Sequence, residues 1–308
     1  MPKVSVVMST YNGHEYIKEQ LQSLKNQTYT IDEVIISDDA STDNTVSIIK
    51  EFIKKNNLKN WKLIENLKNR GWRINFKDTL KKAKGDYIFP CDQDDIWHKD
   101  KIEKMTSIMS KKPNIKLLVS NYTPIYEKGG TKLKLSKDLE DNNETIEQLN
   151  FSVQNFYVKR PGCVYCFRKD LLKYFKYSRY DDPHDAFLWR ISLLLDGLYL
   201  WHYSTIDFRR HANNATARAR KNLSSKKETV EFYARTLRMM NEFVQQESVS
   251  NYNEKKDILS NLTIWNNLRI NVIEKRSIMS WLKLFKYRNY FWNKKTYFAD
   301  ILMTFNLI

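Results

Sequence analysis

The feature that most restricts this chain is an alternation, repeated through its first 90 residues, of short β-branched runs and amphipathic stretches. Val4 to Ser9 reads as a strand, and Glu15 to Gln27 as a helix with Ile17, Leu21 and Leu24 on one face. Glu33 to Ser37 is a second strand, followed by a helix over Asp43 to Lys54 carrying Val46, Ile49 and Ile53, capped by Ser41, Thr42 or Asp43. Trp61 to Glu65, Trp72 to Ala83 and Asp86 to Pro90 continue as strand, helix and strand. Such β-α units predict an α/β fold, a mostly parallel central sheet flanked by helices. Ligands bind outside the carboxyl ends of such strands. Here those ends are polar: Ser9-Thr10-Tyr11-Asn12 after the first strand, Ser37-Asp38-Asp39-Ala40-Ser41-Thr42-Asp43 after the second, and Cys91-Asp92-Gln93-Asp94-Asp95 after the fourth.

With 308 residues the chain is long enough for one large domain and an appendage. Around Tyr126 to Asn150 it turns polar and reads as an excursion from the core; from Phe156 to Phe167 the hydrophobic pattern resumes. Asp185 to Leu195 is predicted helical and Leu198 to Phe208 extended. Beyond Asn214 helices follow without strands, which places a boundary near Ala215. The domains expected are therefore 1–214 and a helical, basic extension over 215–308.

The formal net charge is +16, and Arg209 to Ile308 carries 19 of the lysines and arginines against eight acidic residues. Such an excess predicts an anionic partner: nucleic acid, a phospholipid surface or a phosphorylated small molecule. Between Lys275 and Lys295 there are seven basic residues and no acidic one, interleaved with aromatics, and Ile278, Trp281, Leu282 and Phe285 recur at helical spacing. That pattern suits a helix lying on an anionic membrane, with a helix packed on the protein through its apolar side as the alternative. Three cysteines, Cys91, Cys163 and Cys166, cannot build a disulfide framework and suit a reducing compartment. Cys163 and Cys166 have the spacing of a metal motif but no second pair, and read as core. No basic leader precedes the first strand and no window approaches the ~20 apolar residues of a membrane span, so a cytoplasmic protein, at most peripheral on the inner face of the membrane, is expected.

Asp92-Gln93-Asp94 sets two carboxylates two positions apart where a strand ends, so that both can reach one site; such hard oxygen ligands suit Mg²⁺ or Mn²⁺. The triplet has company. Val4-Ser5-Val6-Val7-Met8-Ser9-Thr10-Tyr11-Asn12, Ile36-Ser37-Asp38-Asp39-Ala40-Ser41-Thr42-Asp43, Gly85-Asp86-Tyr87-Ile88, Asp92-Gln93-Asp94-Asp95-Ile96-Trp97, His184-Asp185 and Phe208-Arg209-Arg210-His211-Ala212-Asn213-Asn214 resemble, in order and spacing, the family 2 nucleotide-sugar glycosyltransferases with the Rossmann-like GT-A fold. The His-Asp pair is most similar to the rhamnosyltransferase-type branch that builds bacterial surface polysaccharides.

The resemblance implies a nucleotide-sugar half over about 1–95, an acceptor half over about 96–214, and an inverting, metal-dependent transfer from a UDP- or dTDP-sugar to a glycan hydroxyl. It implies that Asp94 and His211 hold the metal and that Asp92 reaches the ribose or assists them. Arg209 falls near the diphosphate, Asp39 accepts from the base imide N–H, Tyr11 stacks and Ser9 positions the ring. Asp185 is the implied catalytic base, with Trp97, Gly162 and His184 on the acceptor side. Asn75 and Lys77 are further candidates for donor contact. Asp38 and Asp43 read as structural. The acceptor implied is a glycan carried on a polyprenyl diphosphate. The competing readings are a nucleic-acid-binding protein, suggested by charge and by Arg218-Ala219-Arg220-Lys221 but lacking a recognisable module, and a silent nucleotide-sugar-binding scaffold. No Gly-x-Gly-x-x-Gly follows the first strand, which argues against a dinucleotide oxidoreductase.

Overall fold

The computed structural model describes residues 1–212, 214 and 222–305. Two compact units emerge: Met1–Leu149 with Val158–Asn213, and Asn150–Tyr157 with Asn214–Ile308. The first is built on nine strands: β1 (Val4–Thr10), β2 (Glu33–Asp38), β3 (Trp61–Glu65), β4 (Tyr87–Cys91), β5 (Ile96–Trp97), β6 (Leu117–Tyr126), β7 (Ile146–Gln148), β8 (Tyr165–Arg168) and β9 (Leu198–Arg210). Their order is β3-β2-β1-β4-β8-β6-β9-β5, with β7 also paired to β9. β3, β2, β1 and β4 run parallel, as the β-α repeats predict. β8 then enters antiparallel between β4 and β6, while β6 and β9 are again parallel.

Along β1 every residue but Ser9 is buried, the signature of a strand covered on both faces. The connecting helices are α1 (Ile17–Lys25), α2 (Thr45–Lys55), α3 (Trp72–Leu80), α4 (Lys101–Lys111), the single turn α5 (Lys137–Glu140) and α6 (His184–Leu194). α1 starts two residues later than its pattern suggests, because Gly13 to Tyr16 form a turn whose N–H groups bond the Gly13 carbonyl. The polar stretch before Asn150 is more than an excursion: it contributes β7, an edge strand antiparallel to β9.

In the second unit α7 (Leu223–Gln246) and α8 (Tyr252–Lys275) pack along each other, followed by α9 (Ile278–Leu284), a 3₁₀ turn, and α10 (Lys294–Thr304). α7 opens with a capping box in which Asn222 accepts the Ser225 N–H at 2.9 Å. The fully buried Asp300 is paired with Arg269 at 2.7 Å and Lys226 at 2.5 Å, so its charge is compensated inside the unit. The sequence places residues 150–157 with the strands; the structure gives them to the helices. Phe156 is buried against the Tyr233 ring at 5.4 Å, and the Tyr157 hydroxyl donates to the Tyr290 carbonyl at 2.5 Å. The predicted boundary near Ala215 and the Arg218 to Lys221 run lie outside the described residues.

On α9 the predicted stripe is redistributed. Ile278, Met279, Leu282 and Phe285 are each more than half exposed, whereas Trp281 turns inward to stack on Tyr297 at 5.2 Å and Leu284 is fully buried. No helix among the described residues is long and apolar enough to cross a membrane.

Candidate active site

Parallel pairing brings three strand ends to one edge. Thr10 lies beside Asp38 and Met8 beside Cys91, so the polar residues that follow β1, β2 and β4 form a common rim. Asp38 braces it, accepting the Thr10 hydroxyl at 2.8 Å and the Ser41 N–H and hydroxyl at 2.8 and 2.6 Å. These bonds hold the turn in which Ala40 has φ of 62°, a left-handed conformation costly for a residue with a Cβ. Asp43 accepts the Thr45 N–H at 2.9 Å at the start of α2.

On the nucleotide side the structure corrects one expectation. Asp39 is 1% exposed, and its carboxylate accepts from Asn66 Nδ2 at 3.1 Å, from the Arg70 N–H at 3.0 Å and from the Gly71 N–H at 2.8 Å. Both oxygens are engaged by a loop whose backbone donors would otherwise go unpaired, so Asp39 clasps the 66–71 loop and does not stand open to a base. Ser9 remains partly accessible, its Oγ accepting from Asn75 Nδ2 at 2.8 Å. Tyr11, two residues on, is 45% exposed. Its backbone is held from both sides by Gln93, which accepts the Tyr11 N–H at 2.9 Å and donates to the Tyr11 carbonyl at 3.1 Å. That approach requires glycine at 13, where a Cβ would lie 2.3 Å from Gln93 Oε1. Lys77 turns away from any donor, toward the carbonyls of Ser178, at 3.2 Å, and Arg179.

The acidic end of the rim is built differently. Asp92 is half-buried and Asp95 1% exposed; ligand atoms of Asp92, Asp95 and Cys163 all lie within 4.8 Å of one another. Burial, reinforced by the neighbouring Asp94 charge, pushes Asp92 up to about 7, and the same two causes raise Asp95 well above the usual carboxylate range. Asp95 Oδ1 accepts the Arg209 N–H at 3.0 Å, whereas Oδ2 is buried without an N or O partner among the described residues and faces the Cys163 thiol. Beneath lies the buried Lys101, held down to about 8 by desolvation, its ammonium 4.0 Å from the Trp97 ring centre and 2.5 Å from the Cys163 carbonyl.

Asp94 Oδ2 and His211 Nε2 are 2.8 Å apart. Two neighbouring ligands of an octahedral cation at 2.0–2.1 Å would sit about 2.9 Å apart, so this pair has the spacing of one edge of a Mg²⁺ or Mn²⁺ shell. The clustered carboxylates and the O/N donor set therefore fit a divalent cation. Arg209 is a correction: 5% exposed, it donates through Nε to the Asp94 carbonyl at 2.8 Å and through its two terminal nitrogens to Glu127 and Glu19. Its guanidinium ties the acidic loop to α1 and β9 and does not face an open diphosphate site.

Asp185 opens α6, a helix buried throughout apart from this one residue. Asp185 is half-exposed and close enough to the rim for its charge to help raise Asp92. Its neighbour His184 is 4% exposed, stacked on Phe76 at 4.1 Å, with neither ring nitrogen hydrogen-bonded among the described residues. Gly162 is buried against this pair. Neither presents a surface to an acceptor. Trp97 is corrected for the same reason: at 2% exposure, packed between Phe89 and Lys101, its ring is core and no platform for a sugar.

The fold also shows what several supporting residues do, the candidate Asn75 among them. Asn75 makes four bonds, donating to Ser9 Oγ and the Ser37 carbonyl and accepting from Ser37 Oγ and Asn66. Gln93 sat in view inside the Asp92 to Asp94 triplet, but only the fold reveals its backbone clamp. Cys163 belongs to the acidic cluster and not merely to the core, and Glu19 and Glu127 reach Arg209 from distant segments.

The family model "Glycosyl transferase family 2" matches residues 5–175. The dTDP-rhamnosyl transferase RfbG of Shigella flexneri is 32% identical over 225 residues, 67% of this chain and 72% of that protein. The putative glycosyltransferase EpsE of Bacillus subtilis is 36% identical over 110 residues, 36% of this chain and 39% of its own length. Among solved structures, S. aureus TarS residues 1–349 superpose with a TM-score of 0.62 at 20% identity, covering 90% of this chain and 74% of that one. The mannosyltransferase PcManGT of Pyrobaculum calidifontis, in complex with GDP-Man and Mn²⁺, gives 0.51 at 16% identity over 99% of this chain and 85% of that one. The chain belongs to glycosyltransferase family 2 and has the GT-A architecture. It is a glycosyltransferase.

Proposed function

We propose that the protein transfers a sugar, with inversion, from a UDP- or dTDP-activated donor to a hydroxyl of a glycan acceptor, in a reaction that depends on Mn²⁺ or Mg²⁺. The observation that carries this reading is the half-exposed carboxylate that opens α6, Asp185, brought next to the acidic rim of Asp92, Asp94 and Asp95. Asp94 and His211 would hold the cation, with Asp92 beside them. That cation supplies positive charge to the departing diphosphate. Tyr11 stacks on the base and Ser9 lines its pocket; the dTDP and UDP-GlcNAc in the names of RfbG and of a TarS complex support a pyrimidine donor. Asp185 takes the proton of the acceptor hydroxyl as its oxygen attacks the anomeric carbon from the face opposite the leaving diphosphate. The C–O bond to the diphosphate breaks as the new glycosidic bond forms.

Asp185→Asn tests the assignment in a transfer assay with radiolabelled UDP- and dTDP-sugars onto a polyprenyl-diphosphate-linked glycan. Turnover should fall by roughly 10²–10⁴-fold with nucleotide affinity unchanged. Retained turnover removes Asp185 from the chemistry.

The acceptor is proposed to be lipid-linked and met at the inner membrane face. The exposed Ile278, Met279, Leu282 and Phe285, with Trp292 at 65% and cations at Lys283 and Lys286, support contact with an anionic bilayer. The protein should float with phosphatidylglycerol vesicles and lose that behaviour in Leu282→Glu/Phe285→Glu. Sedimentation of the unaltered protein away from such vesicles refutes the contact.

A further inference from the structure

We propose that Gly162 and His184 are positioning residues for Asp185 and not acceptor contacts, an inference that rests on the assignment of Asp185 as the base. Gly162 begins a one-turn 3₁₀ segment, Gly162–Val164, after Pro161. A Cβ at this position would lie 2.7 Å from His184 Nε2 and 3.1 Å from Asp185 Cβ, both tighter than ordinary van der Waals contact. The backbone at 162 therefore bears directly on the first two residues of α6, and it does so because it has no side chain.

Neither neighbour has room to retreat. The imidazole is also stacked on Phe76, with ring centres 4.1 Å apart and an interplanar angle of 19°. Asp185 Cβ is fixed to a helix buried continuously from Ala186 to Leu194. The ring itself is 4% exposed and neither nitrogen is hydrogen-bonded among the described residues, so shape alone orients it. Among the described residues the side chain of Asp185 makes a local hydrogen bond, Oδ1 accepting the Ala186 N–H at 2.7 Å. How far the carboxylate stands from the rim is thus set by the packing of His184 against both Phe76 and the bare Cα of Gly162. Phe76 adjoins Asn75 on α3, the residue that stitches Ser9 to Ser37, so one helix supports the stack and the nucleotide side together.

A methyl group at 162 should push the ring and the helix start by a few tenths of an ångström. Placement errors of about 1 Å cost roughly 10²-fold in rate, so a loss on the order of tenfold is expected from the smaller displacement. The test uses Gly162→Ala, His184→Ala and the double variant in the full-length protein, with the donor and acceptor of the Asp185→Asn assay. UDP and dTDP binding with Mn²⁺ is followed by calorimetry and folding by thermal unfolding. Gly162→Ala should lower kcat about tenfold with the acceptor KM and nucleotide affinity unchanged. The double variant should be no slower than His184→Ala, because removing the ring removes most of what the methyl group strikes.

A rise in acceptor KM at unchanged kcat, or losses that simply add in the double variant, overturns the inference. If Gly162→Ala does not fold, thermal unfolding decides: rescue of folding by His184→Ala supports the stack, and failure to rescue it counts against. An active Asp185→Asn would instead remove the base assignment, an outcome distinct from either.

Discussion

Two pairs of adjacent aspartates stand at strand ends on either side of β1, and they live under opposite conditions. Asp38 and Asp39, after β2, are surrounded by donors: two hydroxyls and three backbone N–H groups, with Asn66 besides. Asp94 and Asp95, after β4, share their loop with Asp92 and have His211, one N–H of Arg209 and a thiol nearby. The first pair uses negative charge to close loops. The second gathers carboxylates with a histidine nitrogen in one loop, an oxygen and nitrogen donor set of the kind that takes up a hard cation. Residue type and spacing are nearly the same; what differs is how many N–H and O–H groups the fold turns toward each.

The largest effect that bears on this contrast should come from Asp94→Ala. Loss of a ligand and of the His211 partnership should weaken Mn²⁺-dependent UDP or dTDP binding by at least about 100-fold, read by calorimetry with and without metal. Equal affinity in the variant would place the cation elsewhere. Asp39→Ala should act on stability instead. It strands the Arg70 and Gly71 N–H groups, and unfolding in urea should show a loss of about 2–4 kcal/mol, with faster proteolysis inside the 66–71 loop.

A subtler effect concerns pH. Asp92 keeps its proton to about 7 in the metal-free fold, whereas an unfolded chain releases it near 3.9. The folded state binds more protons through that window, so this group makes the metal-free protein less stable as pH rises from about 4 to 7, with no further change above. A cation competes with the proton and favours the ionised form. Manganese affinity should therefore rise by up to about tenfold per pH unit below 7 and level off above it, and the stabilisation by Mn²⁺ should grow over the same range. A flat profile from pH 5.5 to 7.5 would show that Asp92 is already ionised.

The local pattern had much to say about the first unit. Strands β1 to β4 fall within a residue of where their short apolar runs predict them, because strands of a covered sheet carry apolar residues in continuous or alternating runs that consecutive residues display. The polar ends of β1, β2 and β4, and the placing of Asp185 at a helix start, were equally legible, since strand ends and helix starts are properties of consecutive residues. The inserted β8 was not, nor was β7. Both add to the sheet through partners more than 30 residues away, and a run of four or three residues carries no mark of its neighbour.

Roles that depend on which side of a ring is covered also lay beyond the sequence. Trp97 reads equally as platform or core until Phe89 and Lys101 close over it, and Arg209 as a free cation until Glu19 and Glu127 meet it. The same holds for Asp39, whose partners come from a loop about 30 residues on. Chemistry, then, was written locally: family, sheet edge and acidic loop follow from short segments in register. Accessibility was decided by tertiary packing, because whether a carboxylate meets a cation or a backbone N–H depends on segments that only folding brings within about 3 Å.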